Sequence, residues 1–128
     1  MRKVCADFDL AGINKDPLNK GILTGKFSST SKFPPNDIRS RADFSDPEIV
    51  KRLKLVDEVR DIFTSGGRTM AQGALAYIWA LDDRMVPIPG FKSVQQVQEN
   101  AGALELGPLT ESQVKEIQTV VGKYELKG

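Results

Sequence analysis

The sequence predicts an α/β fold in which helices cover two short parallel strands. Three observations lead there. Two brief apolar runs, Leu10–Asn14 and Met85–Ile88, have strand length and are each followed by helical segments. Four helix-start signals recur, each a Ser or Thr followed three residues later by Glu or Gln. The length, 128 residues, suits one domain with room for a core.

Taken in order, residues 2–8 carry Val4, Cys5 and Phe8 at helical spacing over about two turns, with no N-cap in front. They read as the end of a helix. The strand Leu10–Asn14 closes at Asp16-Pro17 and leads into Leu18–Lys26, where glycines beside lysines suggest a loop that approaches an anion. From Phe27 to Phe44 the composition turns to Ser, Pro, Asn and Asp, and Pro34-Pro35 excludes helix and central strand alike. A loop of that length is functional or disordered.

Ser45…Glu48 opens a helix with Ile49, Leu53, Val56, Val59 and Phe63 on one face, ended by Gly66-Gly67. Thr69…Gln72 opens the next, through Leu75, Ile78 and Trp79 to about Leu81, with Tyr77 and Trp79 read as core packing. Beyond the strand Met85–Ile88, Ser93…Gln96 starts a helix with Val94, Val97 and Ala101 inward. Thr110…Gln113 starts a last one bearing Val114, Ile117, Val121 and Tyr124. No repeat, low-complexity tract or second domain is indicated, so residues 1–128 form a single partial domain. Two strands alone leave unpaired edges, which points to a missing partner.

Eighteen basic against seventeen acidic residues, a net charge of +1, argue against a general grip on nucleic acid or an anionic membrane. The single cysteine forms no internal disulfide, no apolar run reaches the ~20 residues that span a bilayer, and Met1-Arg2-Lys3 is not followed by a signal-peptide core. The expected location is cytoplasmic. There is no histidine, so a group titrating near neutrality has to come from elsewhere. No metal-ligating motif stands out.

The richest stretch is Val86-Pro87-Ile88-Pro89-Gly90-Phe91-Lys92-Ser93, a strand delivering a turn to the start of a helix. Gly90 lets the backbone approach a ligand, Lys92 offers a point charge, and Ser93 with the free amides of the helix start is suited to phosphate oxygens. Gln96, Glu99 and Asn100 fall on one side of that helix near its first turns. Each feature also has a plain structural reading. Ser93 serves as N-cap and Gln96 as its box partner, Lys20 and Lys26 are solvated charges, Gly21 and Gly25 are turn residues, and Glu99-Asn100 is a polar helix face.

The segment Asn14–Lys26, the loop Phe33-Pro34-Pro35-Asn36-Asp37-Ile38-Arg39, the run Ala74–Trp79, and Pro87–Gly90 with Glu99-Asn100 together resemble the C-terminal part of an aldo-keto reductase. The resemblance covers nearly the whole chain and implies a (β/α)8 TIM barrel, of which this chain would be strands seven and eight with their helices and the long loop 27–44. It implies NADP(H) as cofactor. Gly90, Lys92 and Ser93 would hold the adenosine phosphate end, and Glu99 and Asn100 the adenine and its linker. Gln96 stands where many members carry Arg, which weakens the case for a 2′-phosphate. Asp16, Pro17, Leu18, Asn19, Lys20 and Gly21, with Lys26 beyond them, would run along the pyrophosphate, and Arg39 would close on the phosphates from the long loop.

Members of that family move a hydride between nicotinamide and a carbonyl carbon with Tyr, Lys, Asp and His assisting. Those four come from early strands, so no catalytic residue is carried over and the chain alone is expected to be inactive. A small carbonyl substrate is expected only when the missing barrel half is supplied. Two alternatives stand beside this reading: a non-catalytic nucleotide-binding or self-associating module, and a small helical interaction domain.

Overall fold

The computed structural model describes residues 2–124. A short helix α1 (Arg2–Asp7) precedes strand β1 (Gly12–Lys15). Helices α2 (Pro47–Glu58), α3 (Arg60–Phe63) and α4 (Met70–Leu81) follow. Strand β2 (Met85–Ile88) then leads into α5 (Val94–Leu106) and α6 (Glu111–Gly122). The two strands pair in parallel, Gly12 opposite Met85 and Lys15 opposite Ile88. β1 thus begins two residues later than the apolar run suggests, because Leu10 and Ala11 lie exposed before the ladder starts.

Helix α4 is the spine of the core. Its Ala74, Leu75 and Ala76 are at most 2% exposed, and Leu53, Val56, Val59 and Phe63 pack against it from one side, Ala103, Leu109, Val114 and Ile117 from others. Small residues let these neighbours come close. A Cβ on Gly73 would stand 2.2 Å from the Phe63 carbonyl oxygen, so only glycine permits this crossing. Thr69 caps α4 and Thr110 caps α6 with complete boxes, in which Gln72 and Gln113 reach back to the cap amide. Each cap stabilises its helix by about 1 kcal/mol.

Three expectations change. Asp46, not Ser45, caps α2, since its carboxylate accepts from Glu48 and Ile49 N–H while Ser45 turns to Asp43. The helix expected to run to Phe63 breaks at Val59, whose backbone leaves helical geometry, although the predicted apolar face stays inward. On α5, Val94, Val97 and Ala101 do not face the core; they are exposed, and Ala103 is the buried residue. Periodicity located the apolar stripe but not the surface that would cover it. The sheet has the same imbalance. Gly12 and Met85 turn inward, whereas Ile13, Val86 and Ile88 leave one sheet face apolar and open.

Candidate functional site: a cleft between three loops

The segment after β1 is shaped by backbone conformations that side chains resist. Asp16, Asn19 and Lys20 all have φ near +50°, and Gly21 continues the left-handed run at +91°. Non-glycine residues pay roughly 1–2 kcal/mol each for that geometry, less for Asn and Asp. Local bonds over-determine it. The Asp16 carboxylate accepts the Lys20 N–H at 2.8 Å, Leu18 and Ile22 are buried in the core, and Arg60 donates to the Gly25 carbonyl oxygen. Strain of this kind gathers at functional sites.

The long loop is ordered rather than loose. Phe27, Phe33 and Phe44 form an aromatic cluster with centroids 5.1–5.7 Å apart. The Arg39 guanidinium lies over Phe27 and Phe33, 5.1 and 4.4 Å from the ring centroids. It also grips Asp37 as a fork, Nε to Oδ1 at 2.7 Å and Nη2 to Oδ2 at 2.6 Å. These Arg39 bonds, then the charge of Lys92, hold the Asp37 carboxyl well below the usual carboxylate range. The same bonds raise Arg39.

The third loop follows β2. Nothing lies within 4 Å of where a Gly90 Cβ would stand, so the turn is open on that side. Ser93 caps α5 by accepting from Gln96 N–H, but the Gln96 side chain accepts from Lys92 N–H at 2.6 Å, one residue earlier than a complete capping box requires. Gln72 on α4 donates to the Glu99 carbonyl oxygen at 2.9 Å and ties α5 to the spine.

These loops enclose a cleft of about 510 Å³. Of the residues singled out from sequence, Leu18, Gly21, Lys26, Arg39, Gly90, Lys92, Gln96, Glu99 and Asn100 line it. Pro17, Asn19 and Ser93 do not: Asn19 is spent on the turn back to Asp16, and the Ser93 hydroxyl is spent on the helix cap. The wall includes Lys20, Lys26, Arg39 and Lys92 against Asp16, Asp37 and Glu99. Four cations against three anions leave a slight positive excess, suited to an anionic ligand whose charge is partly met by backbone amides. Lys20 and Lys26 have no ion-pair partner among the described residues.

Asp37 is the residue sequence reasoning missed. Only its capping role had a local signal, since an Asp at a turn start bonds the backbone two residues on; its contact with Lys92 had none. The Asp37 side chain does cap the 3-10 turn Ile38–Arg41. A second hollow of about 400 Å³, lined mainly by Leu75, Trp79, Ile88, Val97 and Leu104, lies between α4, β2 and α5. It is apolar, and Phe91 and Asn100 belong to both hollows.

The chain has relatives among known proteins. Residues 1–121 match the aldo/keto reductase family. An aldo-keto reductase yakc of Schizosaccharomyces pombe, whose name carries NADP(+), is 35% identical over 127 residues, covering 98% of this chain and 37% of that protein. The chloroplastic pyridoxal reductase of Arabidopsis thaliana is 36% identical over 107 residues, covering 81% of this chain and 27% of that protein. A glycerol dehydrogenase from Gluconobacter oxydans superposes with a TM-score of 0.79 at 21% identity, covering 97% of this chain and 38% of that structure. This chain thus spans about a third of the length of such proteins. It belongs to the aldo/keto reductase family, and its two parallel strands with their helices are part of a (β/α)8 barrel.

Proposed function

We propose that this chain is the cofactor-gripping part of an oxidoreductase that interconverts carbonyl and alcohol with NADP(H). One observation carries the reading: three segments, 16–26, 37–39 and, far from both in sequence, 90–100, converge on one cleft rich in cations. Gly90, open on the Cβ side, admits a ligand backbone-close, Lys92 supplies an exposed charge for a phosphate, and Gln96 holds the Lys92 amide in place. Lys20, within the left-handed Asn19–Gly21 run, and Lys26, beyond it, both line the cleft, where a pyrophosphate would meet unpaired charge. The nicotinamide, when bound, supplies or takes the hydride at the carbonyl carbon.

The chain's own residues bind and orient; they do not move the proton. There is no histidine, Tyr77 packs against Phe63 with its phenol pushed up by burial, and the Tyr124 hydroxyl donates to Glu58. Neither tyrosine lines the cleft. The acid and its partners therefore come from the rest of the barrel, and the chain alone is inactive. A cytoplasmic location accords with the free, buried Cys5.

The test is NADPH oxidation on a panel of aldehydes and ketones, with this chain alone and with the other barrel strands supplied. Turnover only in the complemented mixture is expected. Absence of turnover there, with no NADPH binding by the chain, would overturn the reading. A second reading, a self-associating module without catalysis, draws on the open sheet face at Ile13, Val86 and Ile88. Its signature is a stable dimer or larger species and no turnover under any complementation.

A further inference from the structure

We propose that Asp37 sets how strongly the cleft prefers a 2′-phosphate over a 2′-hydroxyl on the adenosine ribose, by cancelling part of the charge of the Arg39–Lys92 cation pair in advance. The inference rests on the cofactor reading above and concerns the selectivity of that same site.

The geometry is a carboxylate shared by two cations from different loops. Arg39 takes both Asp37 oxygens, and the Lys92 ammonium stands 3.5 Å from Oδ2. The Asp37 side chain is 10% exposed, against 79% for Lys92, so the anion is fixed within the wall while the ammonium reaches outward. Arg39 has supports besides Asp37. Two aromatic faces support the guanidinium, and its Nη1 edge approaches the Gly21 turn, 3.5 Å from where a Gly21 Cβ would stand. Two cations and one anion leave this cluster at +1. Gln96, the other polar side chain held at Lys92, is neutral and has given its oxygen to the Lys92 amide.

A phosphate hydrogen-bonded to Lys92 would then lie within roughly 6 Å of the Asp37 carboxylate, the N–H···O bond adding about 2.8 Å to the existing separation. At that distance and in water-like dielectric, a dianion next to a carboxylate loses about tenfold in affinity. A ribose hydroxyl at the same place loses nothing of the kind and can donate to the carboxylate. Asp37 is thus a positioning and selectivity residue, a counter-charge that moderates the pull of Lys92 and Arg39 on the dianion.

The experiment measures binding of adenosine 2′,5′-bisphosphate and of 5′-AMP to the full chain by calorimetry, because the two differ only at the 2′ position. Asp37→Asn is expected to tighten the bisphosphate about tenfold while leaving 5′-AMP within about twofold. Added salt should shrink the gain, and Lys92→Met on top of Asp37→Asn should erase most of it. Asp37→Glu, which keeps the charge, should keep the wild-type ratio. A loosened loop would weaken both ligands together. An unchanged ratio in Asp37→Asn, or a parallel change in both affinities, overturns the inference while leaving the cofactor reading intact. If neither ligand binds the wild-type chain at millimolar concentration, the cofactor reading falls and this inference with it.

Discussion

Replacing Gly73 by alanine tests the central packing of the molecule, because two effects of opposite sign compete there. In an unobstructed helix interior the change stabilises by about 1 kcal/mol, through lower backbone entropy in the unfolded chain. In this fold the new methyl would stand 2.2 Å from the Phe63 carbonyl oxygen and 2.6 Å from both Phe63 C and Cα. Ordinary contact needs about 3.5 Å, so α4 and the end of α3 have to separate by roughly 1 Å. The obstructing atoms are backbone and cannot swing aside as a side chain would. Overpacking of this kind costs about 1–3 kcal/mol, and a rigid backbone obstacle belongs at the upper end. The net expectation is a loss of about 2 kcal/mol, read as a fall of about 1 M in the urea midpoint by far-ultraviolet circular dichroism. Gly122→Ala is the internal control. It lies exposed at the end of α6 with nothing within 4 Å of its Cβ position, so the same change there should be neutral or slightly stabilising. A Gly73→Ala protein as stable as the wild type would refute the packing argument. The displacement would also reach the cleft, because neighbouring Ala71 lines it and Gln72 holds the Glu99 carbonyl.

Three further outcomes are expected. Gln96→Leu removes the acceptor that fixes the Lys92 amide, and should weaken NADPH binding about fivefold, the worth of one modest hydrogen bond, with the α5 cap left intact; unchanged affinity in a binding titration would count against that role. The Asp37 carboxyl is held below its ordinary 3.8 in the folded state, so its contribution to stability is complete above that value and is lost as pH falls through the folded value. The stability gap between wild type and Asp37→Asn should therefore stay constant from neutrality to about pH 4 and narrow only in stronger acid; narrowing already near pH 6 would contradict the Arg39 clasp. Asp46→Ala should cost about 1 kcal/mol in urea unfolding and Ser45→Ala no more than about 0.5, and the reverse order would return the α2 cap to Ser45.

The elements with self-contained chemistry were readable from sequence. The Thr69 and Thr110 boxes use only groups within one turn, and the strand Met85–Ile88 is bounded by turn residues on both sides. The cleft was partly legible for the same reason, since Gly90, Lys92 and Gln96 lie within seven residues of one another. What sequence could not supply was the competition between neighbours. Ser45 and Asp46 are both good caps, and only Asp43, by engaging Ser45, decides between them. The inward face of α5 was misjudged because an apolar stripe reports which residues suit burial and not which surface is there to cover them. Asp37 escaped notice because its importance lies in meeting Lys92, 55 positions away in the chain. No local pattern encodes a bridge between loops.

Phe91 and Asn100 form a party wall: one face looks into the charged cleft, the other into the apolar hollow under Trp79. Anything filling that hollow would press on the same two side chains that a ligand in the cleft would touch. Were filling the hollow to firm up this wall and so tighten a ligand in the cleft, that ligand would by linkage tighten the hollow's occupant by the same factor.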